Sequence, residues 1–344
     1  MSSTTEKRSP LTYILLSLKG IAMGAADVVP GVSGGTIAFI TGIYEELIFT
    51  LKSINLKSLK TLFTKGPVVF FHEINGMFLV SLFAGILISA FSLSKLLTYL
   101  MNYHPVLLWS FFFGLIVASV FLIKKQISHW NTQVMVSMLV GIVVAFFITV
   151  ASPSQIPDGH IYIFLSGFLA IIAMILPGIS GAFILLLLGA YPLIISTIND
   201  FRASLFDVNV DGLVLHGLNL SVFAIGCIMG LLSFSRVLSW MFAHHKNVTL
   251  SVLMGFMIGS LNKIWPWKTT VSSRVAHAGS DHEEIVPFIQ ENVWPGNYSI
   301  LNEVEKSLSH VPVKEPQVLY SVLLMMAGFA IIWILERFGP KPTA

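Results

Sequence analysis

Two hexapeptides, Pro30-Gly31-Val32-Ser33-Gly34-Gly35 and Pro177-Gly178-Ile179-Ser180-Gly181-Ala182, each lie inside a long apolar stretch. A Pro-Gly pair stops a helix there, because proline has no N–H and collides with the turn before it, while glycine frees the backbone. With 55% hydrophobic and 11% charged residues, the surrounding chain reads as an integral membrane protein. In hydrocarbon, the N–H and C=O groups freed at a break must be buried in protein or face a polar cavity. The fold is therefore restricted to arrangements that enclose both breaks.

Along the chain, residues 1–10 are polar and predicted disordered. Lys7 and Arg8 before the apolar run from Leu11 resemble the start of a signal peptide, but the same region has a counterpart later in the chain and is read as part of the fold. A first repeat, 11–151, comprises a broken hairpin at 11–54 and spans at about 76–99, 104–123 and 134–151. A second, 160–337, comprises a hairpin at 161–198 and spans at about 219–241, 248–266 and 317–335, with a polar insertion at 267–316 expected on the extracytoplasmic side. Each hairpin arm is borderline in length for a full crossing, so re-entrant hairpins and complete spans both remain open.

The duplication is visible residue by residue. Residues 30–44 and 177–191 align without gaps at seven of fifteen positions, far above what biased composition produces. Gly20 falls on Gly167, and with a second offset Lys95 falls on Arg236 and Gly114 on Gly255. A hairpin plus three spans is an odd number of crossings, so the second repeat enters from the opposite face. The lysines at 52–65 and 124–125, together with Lys246 and Arg337, then fall on one side, which predicts cytoplasmic termini. The expected fold class is an all-α integral membrane protein of inverted-topology repeats, each a Pro-Gly-broken helical hairpin followed by three transmembrane helices.

Inverted repeats with discontinuous helices characterise secondary transporters, whose half-helix N-termini point at an anion near the midplane. The candidate anion donors are the backbone and hydroxyl groups of Gly31, Ser33, Gly34, Gly35 and Thr36 in the first break, and of Gly178, Ser180 and Gly181 in the second. Lys95 and Arg236 are matched cations that either bind ligand charge or snorkel to an interface. Asp27, whose counterpart is Met174, is either a proton- or sodium-coupling group or a cap for the broken backbone. Glu45 and Glu46 either guard an entrance or are solvated at a helix end. The net charge of +3 comes mostly from loop lysines, a topology signal that points away from nucleic acid. Cys227 is the single cysteine, the histidines fit no metal spacing, and no phosphate-loop motif occurs, so no cofactor or metal is expected.

The run Gly24-Ala25-Ala26-Asp27-Val28-Val29-Pro30-Gly31-Val32-Ser33-Gly34-Gly35-Thr36, continued by Thr41-Gly42-Ile43-Tyr44-Glu45-Glu46-Leu47 and later by Leu176-Pro177-Gly178-Ile179-Ser180-Gly181, resembles the PopT family of bacterial polyprenyl-phosphate transporters. The likeness spans nearly the whole chain apart from 267–316. It implies transport of undecaprenyl phosphate from the outer to the cytoplasmic leaflet of the bacterial cytoplasmic membrane, for reuse in cell-wall synthesis. Two alternatives share the architecture. One is an undecaprenyl-pyrophosphate phosphatase, whose loop carries an arginine after the serine and an accompanying glutamate pair; Gly34 and Gly181 stand at that position here. The other is a carrier of small anions.

Overall fold

The computed structural model describes residues 9–29, 32–151, 159–206, 209–276, 284–299, 303–306 and 315–338. In the first half, α1 (Pro10–Val28) runs to the first break, and the chain turns back through α2 (Gly34–Ile40), α3 (Tyr44–Ser53), α4 (Leu56–Lys65) and α5 (Pro67–Glu73). Then follow α6 (Gly76–Ser92), α7 (Ser94–Tyr103), α8 (Pro105–Gln126) and α9 (Thr132–Val150). In the second half α10 (His160–Ile175) leads through the second break to α11 (Gly181–Leu187), α12 (Ala190–Phe206), α13 (Val210–His244) and α14 (Lys246–Ser260). Strands β1 (Lys268–Ala276) and β2 (Glu284–Asn292), a short α15 (Glu303–Lys306) and α16 (Val318–Phe338) complete the chain.

Local chemistry sets the boundaries. Ser9 caps α1 by accepting from Thr12 N–H, with Pro10 in the first turn, and Asn131 caps α9 by accepting from Val134 N–H. Each hairpin bends a second time, at Gly42 (φ 74°) and Gly189 (φ 76°), matched glycines in the left-handed region that a side chain resists. Four helices, α1, α8, α9 and α13, are long and apolar enough to cross a bilayer. Counting the bent pairs α5–α6 (78°) and α11–α12 (105°) as single spans raises that to six. Along α9, Val136, Leu139, Val140, Val143 and Phe147 are all exposed, a continuous apolar face that suits lipid and not water. The chain is a multi-pass, predominantly helical membrane protein.

Small residues let the helices approach closely. A methyl group on Gly20 would strike the backbone of Leu82 where α1 crosses α6, and one on Gly167 would lie 2.5 Å from the Phe223 carbonyl where α10 crosses α13. Gly114 abuts the Met325 backbone between α8 and α16, whereas its aligned partner Gly255 abuts Met138 between α14 and α9. Aligned glycines thus make equivalent crossings.

Three features depart from the expected course. Residues 199–206 and 210–217, between the expected hairpin and the next expected span, are helical, so α13 reaches 35 residues, roughly 52 Å at 1.5 Å per residue. The span expected to reach 266 stops at Ser260, where Ser260, Asn262 and Lys263 form a turn. The insertion carries an antiparallel hairpin pairing Lys268 with Asn292 through Ala276 with Glu284, so the chain is not wholly α. Its strands are rich in the β-branched residues Thr269, Thr270, Val271, Val275, Ile285 and Ile289. Trp265 packs on Phe113, Trp267 and Trp294, while Trp267 donates to the Pro316 carbonyl, seating the insertion on α8 and the start of α16.

Candidate functional site

At the first break, Ser33 begins α2 in extended conformation, and its Oγ accepts from Gly35 N–H at 3.1 Å. Asp27, at the end of α1, accepts from Gly34 N–H through Oδ1 at 2.7 Å. Two of the donors exposed by the break are therefore capped from within the same hairpin. Of the two readings left open for Asp27, capping is the contact observed.

The hydroxyls of this break reach across to the other. Ser33 Oγ lies 3.2 Å from both the Met174 and the Leu176 carbonyls, so its single proton is shared between them. Thr36 Oγ1 accepts from Gly178 N–H at 2.9 Å. Both side chains are fully buried, and a methyl group on Gly35 would stand 2.5 Å from the Ile175 carbonyl. The two breaks, about 140 residues apart in sequence, are hydrogen-bonded to one another.

The second break is organised differently. Gly178 has φ 87° and packs against Phe256 and Met257 of α14. Ser180 starts α11 without a side-chain cap bond, and among the described residues its hydroxyl has no hydrogen-bond partner although the residue is only 5% exposed. Beside it lies a cavity of about 10 Å³ bounded by Gly178, Ile179, Ser180, Phe183, Thr149 and Lys263. That is room for one water, so the site is closed in this conformation. Met174 stands where the first hairpin has Asp27, so this break has no matching carboxylate.

Lys263 and Lys268 are the residues that the sequence reading passed over. Lys263 follows the end of α14; its Nζ lies over the Phe183 ring, 4.2 Å from the centroid. Burial lowers its pKa to about 8. Lys268 Nζ donates to the Lys263 carbonyl at 2.6 Å and sits over Trp109 at 3.8 Å. Burial, and then the neighbouring Lys263 charge, hold its pKa well below the ordinary lysine value. The available signal was two lysines within six residues at the end of an apolar run, which averaging over the run conceals.

Other expected site residues lie apart. Arg236 donates to the Leu232 carbonyl at 2.6 Å and the Ile54 carbonyl at 3.3 Å, bonding the C-terminal end of α3 and leaving neither guanidinium contact at a break. Glu45 pairs with Lys246 at 2.9 Å across an exposed surface, and Glu46 accepts from the Asn75 amide at 2.9 Å; both occupy the first turn of α3. Lys95 lies on α7, but its side chain, like Gly31, falls outside the described residues.

Residues 23–282 match the family model described as VCA0040-like, undecaprenyl phosphate translocase-like. A protein of Vibrio cholerae serotype O1 named polyprenyl-phosphate transporter is 42% identical over 331 residues, covering 96% of this chain and 98% of its own length. A Staphylococcus aureus protein of the same name is 33% identical over 261 residues, 72% of this chain and 85% of its own. No solved structure matches. With both breaks inside the matched region and near full-length identity to a curated relative, the chain belongs to the VCA0040-like, undecaprenyl phosphate translocase-like family.

Proposed function

We propose that this protein carries a polyprenyl phosphate across the bacterial cytoplasmic membrane, from the outer leaflet to the cytoplasmic one, for reuse in cell-wall synthesis. The names of its relatives supply the lipid class. The observation that carries the reading is the direct bonding of the two breaks, Ser33 to the 174–176 carbonyls and Thr36 to Gly178, beside a closed cavity at Ser180. A bare phosphate in hydrocarbon costs on the order of tens of kcal/mol, while a polyprenyl tail is at home there. A protein need only shelter the head group.

The two halves act as inverted repeats with cytoplasmic termini, a reading supported by span parity, by lysine placement and by the exchanged crossings of Gly114 and Gly255. Alternating access follows: opening separates the breaks, frees Gly178 N–H, Ser180 and the α11 backbone for the phosphate, and closure on the other side restores the Thr36 and Ser33 bonds. Ser33, Gly34, Gly35 and Thr36 then serve as the latch, and Gly178, Ser180 and Gly181 as the binding half. Asp27 couples the cycle to a proton or sodium ion, since neutralising it weakens the Gly34 cap that shapes the latch. Glu45 and Glu46, paired with Lys246 and Asn75, act away from the phosphate. Hydrolysis is disfavoured as a role, because the described residues lining the cavity at Ser180 include no carboxylate or histidine for general acid–base work.

The test is a sidedness assay of undecaprenyl phosphate in proteoliposomes. A charged hydrogen bond is worth about 1.5–3 kcal/mol, so Ser180→Ala should slow movement by roughly 10- to 150-fold against the native chain. A native rate equal to that of empty liposomes refutes the reading.

A further inference from the structure

We propose that Lys263 is the cation that holds the phosphate monoester, with the Ser180 hydroxyl as its companion donor, in a cradle entered from the end of the bundle that carries the β-hairpin. This rests on the reading above that the second break receives the phosphate. No aligned counterpart marks Lys263: the repeat offset that pairs Gly114 with Gly255 sets it on Leu122.

The geometry makes the site incomplete without an anion. Among the described residues the Lys263 ammonium has no hydrogen bond or ion pair and lies over the Phe183 ring, which attracts a cation without occupying its three N–H donors. Phe183 sits in the first turn of α11, so the ammonium hangs over the turn that Ser180 opens. Ser180 is, among the described residues, an unpartnered donor in the wall of the same cavity. No carboxylate among the described residues lines that cavity. A buried ammonium without a counter-ion is costly, and an entering anion removes that cost.

Lys268 braces the connector: its Nζ donates to the Lys263 carbonyl and sits over the Trp109 ring. The Lys263 ammonium and the Ser180 hydroxyl together suit the small anionic head of a phosphate monoester. The direction of access follows from position. Lys263 lies beyond the C-terminal end of α14 and Thr149 one residue from the end of α9, both towards the β-hairpin. The Trp265 and Trp267 side chains flank the same connector and report on it.

The experiment titrates the detergent-solubilised full chain with farnesyl phosphate, read by tryptophan fluorescence, with farnesol and inorganic phosphate as separate arms. Native chain, Lys263→Gln, Lys263→Arg and the surface control Lys124→Gln are compared, together with their transport of undecaprenyl phosphate in proteoliposomes. Lys263→Gln is expected to weaken farnesyl phosphate at least tenfold and to slow transport correspondingly, Lys263→Arg to stay within about threefold, and farnesol to give no saturable signal. Native affinity and transport in Lys263→Gln overturn the assignment while leaving the transporter reading intact. Absent binding and transport in the native chain refute that reading itself. Inorganic phosphate binding as tightly as farnesyl phosphate overturns the lipid as the ligand. Should Lys263→Gln fail to fold, acetylation of Lys263 in the native chain, followed by mass spectrometry, decides: at least fivefold protection by farnesyl phosphate supports the cradle, and no protection overturns it.

Discussion

Replacing Thr36 with valine keeps nearly the same volume but removes the oxygen that accepts from Gly178 N–H. The site is fully buried, so no water takes over, and an orphaned buried donor costs about 1–3 kcal/mol. That penalty falls on the closed arrangement alone, since once the breaks part Gly178 N–H meets ligand or water. At 1.4 kcal/mol per tenfold, the open population should rise about 5- to 150-fold. The population is measurable with Cys227 replaced by alanine and cysteine placed at position 180, a near-isosteric change at a residue only 5% exposed. Its alkylation by a water-soluble maleimide in proteoliposomes should accelerate by that factor in Thr36→Val and remain near the parent rate in Thr36→Ser. Equal rates in all three proteins would show that the Thr36 to Gly178 bond does not hold the breaks together.

Two further outcomes follow from the same geometry. A methyl group added by Gly34→Ala would lie 2.5 Å from Asp27 Oδ2 and 3.0 Å from its Cγ, displacing the carboxylate from the Gly34 N–H. Losing that cap should cost about 0.5–2 kcal/mol and lower the thermal midpoint in detergent, and an unchanged midpoint refutes the capping role. Lys263 supplies a pH signature: its folded pKa of about 8 lies below the unfolded value of 10.5, so the unfolded state binds the extra proton between those values. Stability should therefore rise with pH from about 8 to 10.5, with Lys268 adding in the same direction, and Lys263→Met should flatten the rise; a midpoint that falls over that window contradicts the burial assigned to both lysines.

The breaks were legible because proline and glycine act through backbone geometry, which needs no knowledge of neighbours. Their meeting followed from the duplication, and Gly20, Gly167, Gly114 and Gly255 mark the crossings that make it possible. Side-chain direction was not legible in the same way. Arg236 shares its alignment position with Lys95, yet its place on the surface of α13 turns the guanidinium to the Ile54 carbonyl. The insertion's hairpin had a readable cluster of β-branched residues at 268–276, obscured by reading 267–316 only as polar. Residues 199–217 carry turn-forming asparagine and glycine, but helical packing of α12 on α13 outweighs those local preferences.

The positions where the repeats agree and those where they differ do separate work. Pro, Gly and Ser at matched places produce the same bend twice, and a symmetric pair of bends alone would be two equivalent caps facing each other. Asp27 opposite Met174 breaks that equivalence, because one hairpin supplies its own acceptor for the N–H groups at the start of α2 and the other supplies none at α11. Lys263, with Leu122 as its counterpart, then adds positive charge on the uncapped side only. A carboxylate at the first break and an ammonium at the second polarise the pair, so an anion entering between them is drawn to Ser180 and repelled from Asp27. Exchanging the asymmetry, with Asp27→Met and Met174→Asp in one chain, should move the self-capped break to the second hairpin and place a carboxylate beside Ser180. Farnesyl phosphate binding should then fall at least tenfold, whereas undiminished binding would mean that the shared bends, and not the unmatched charges, choose where the anion sits.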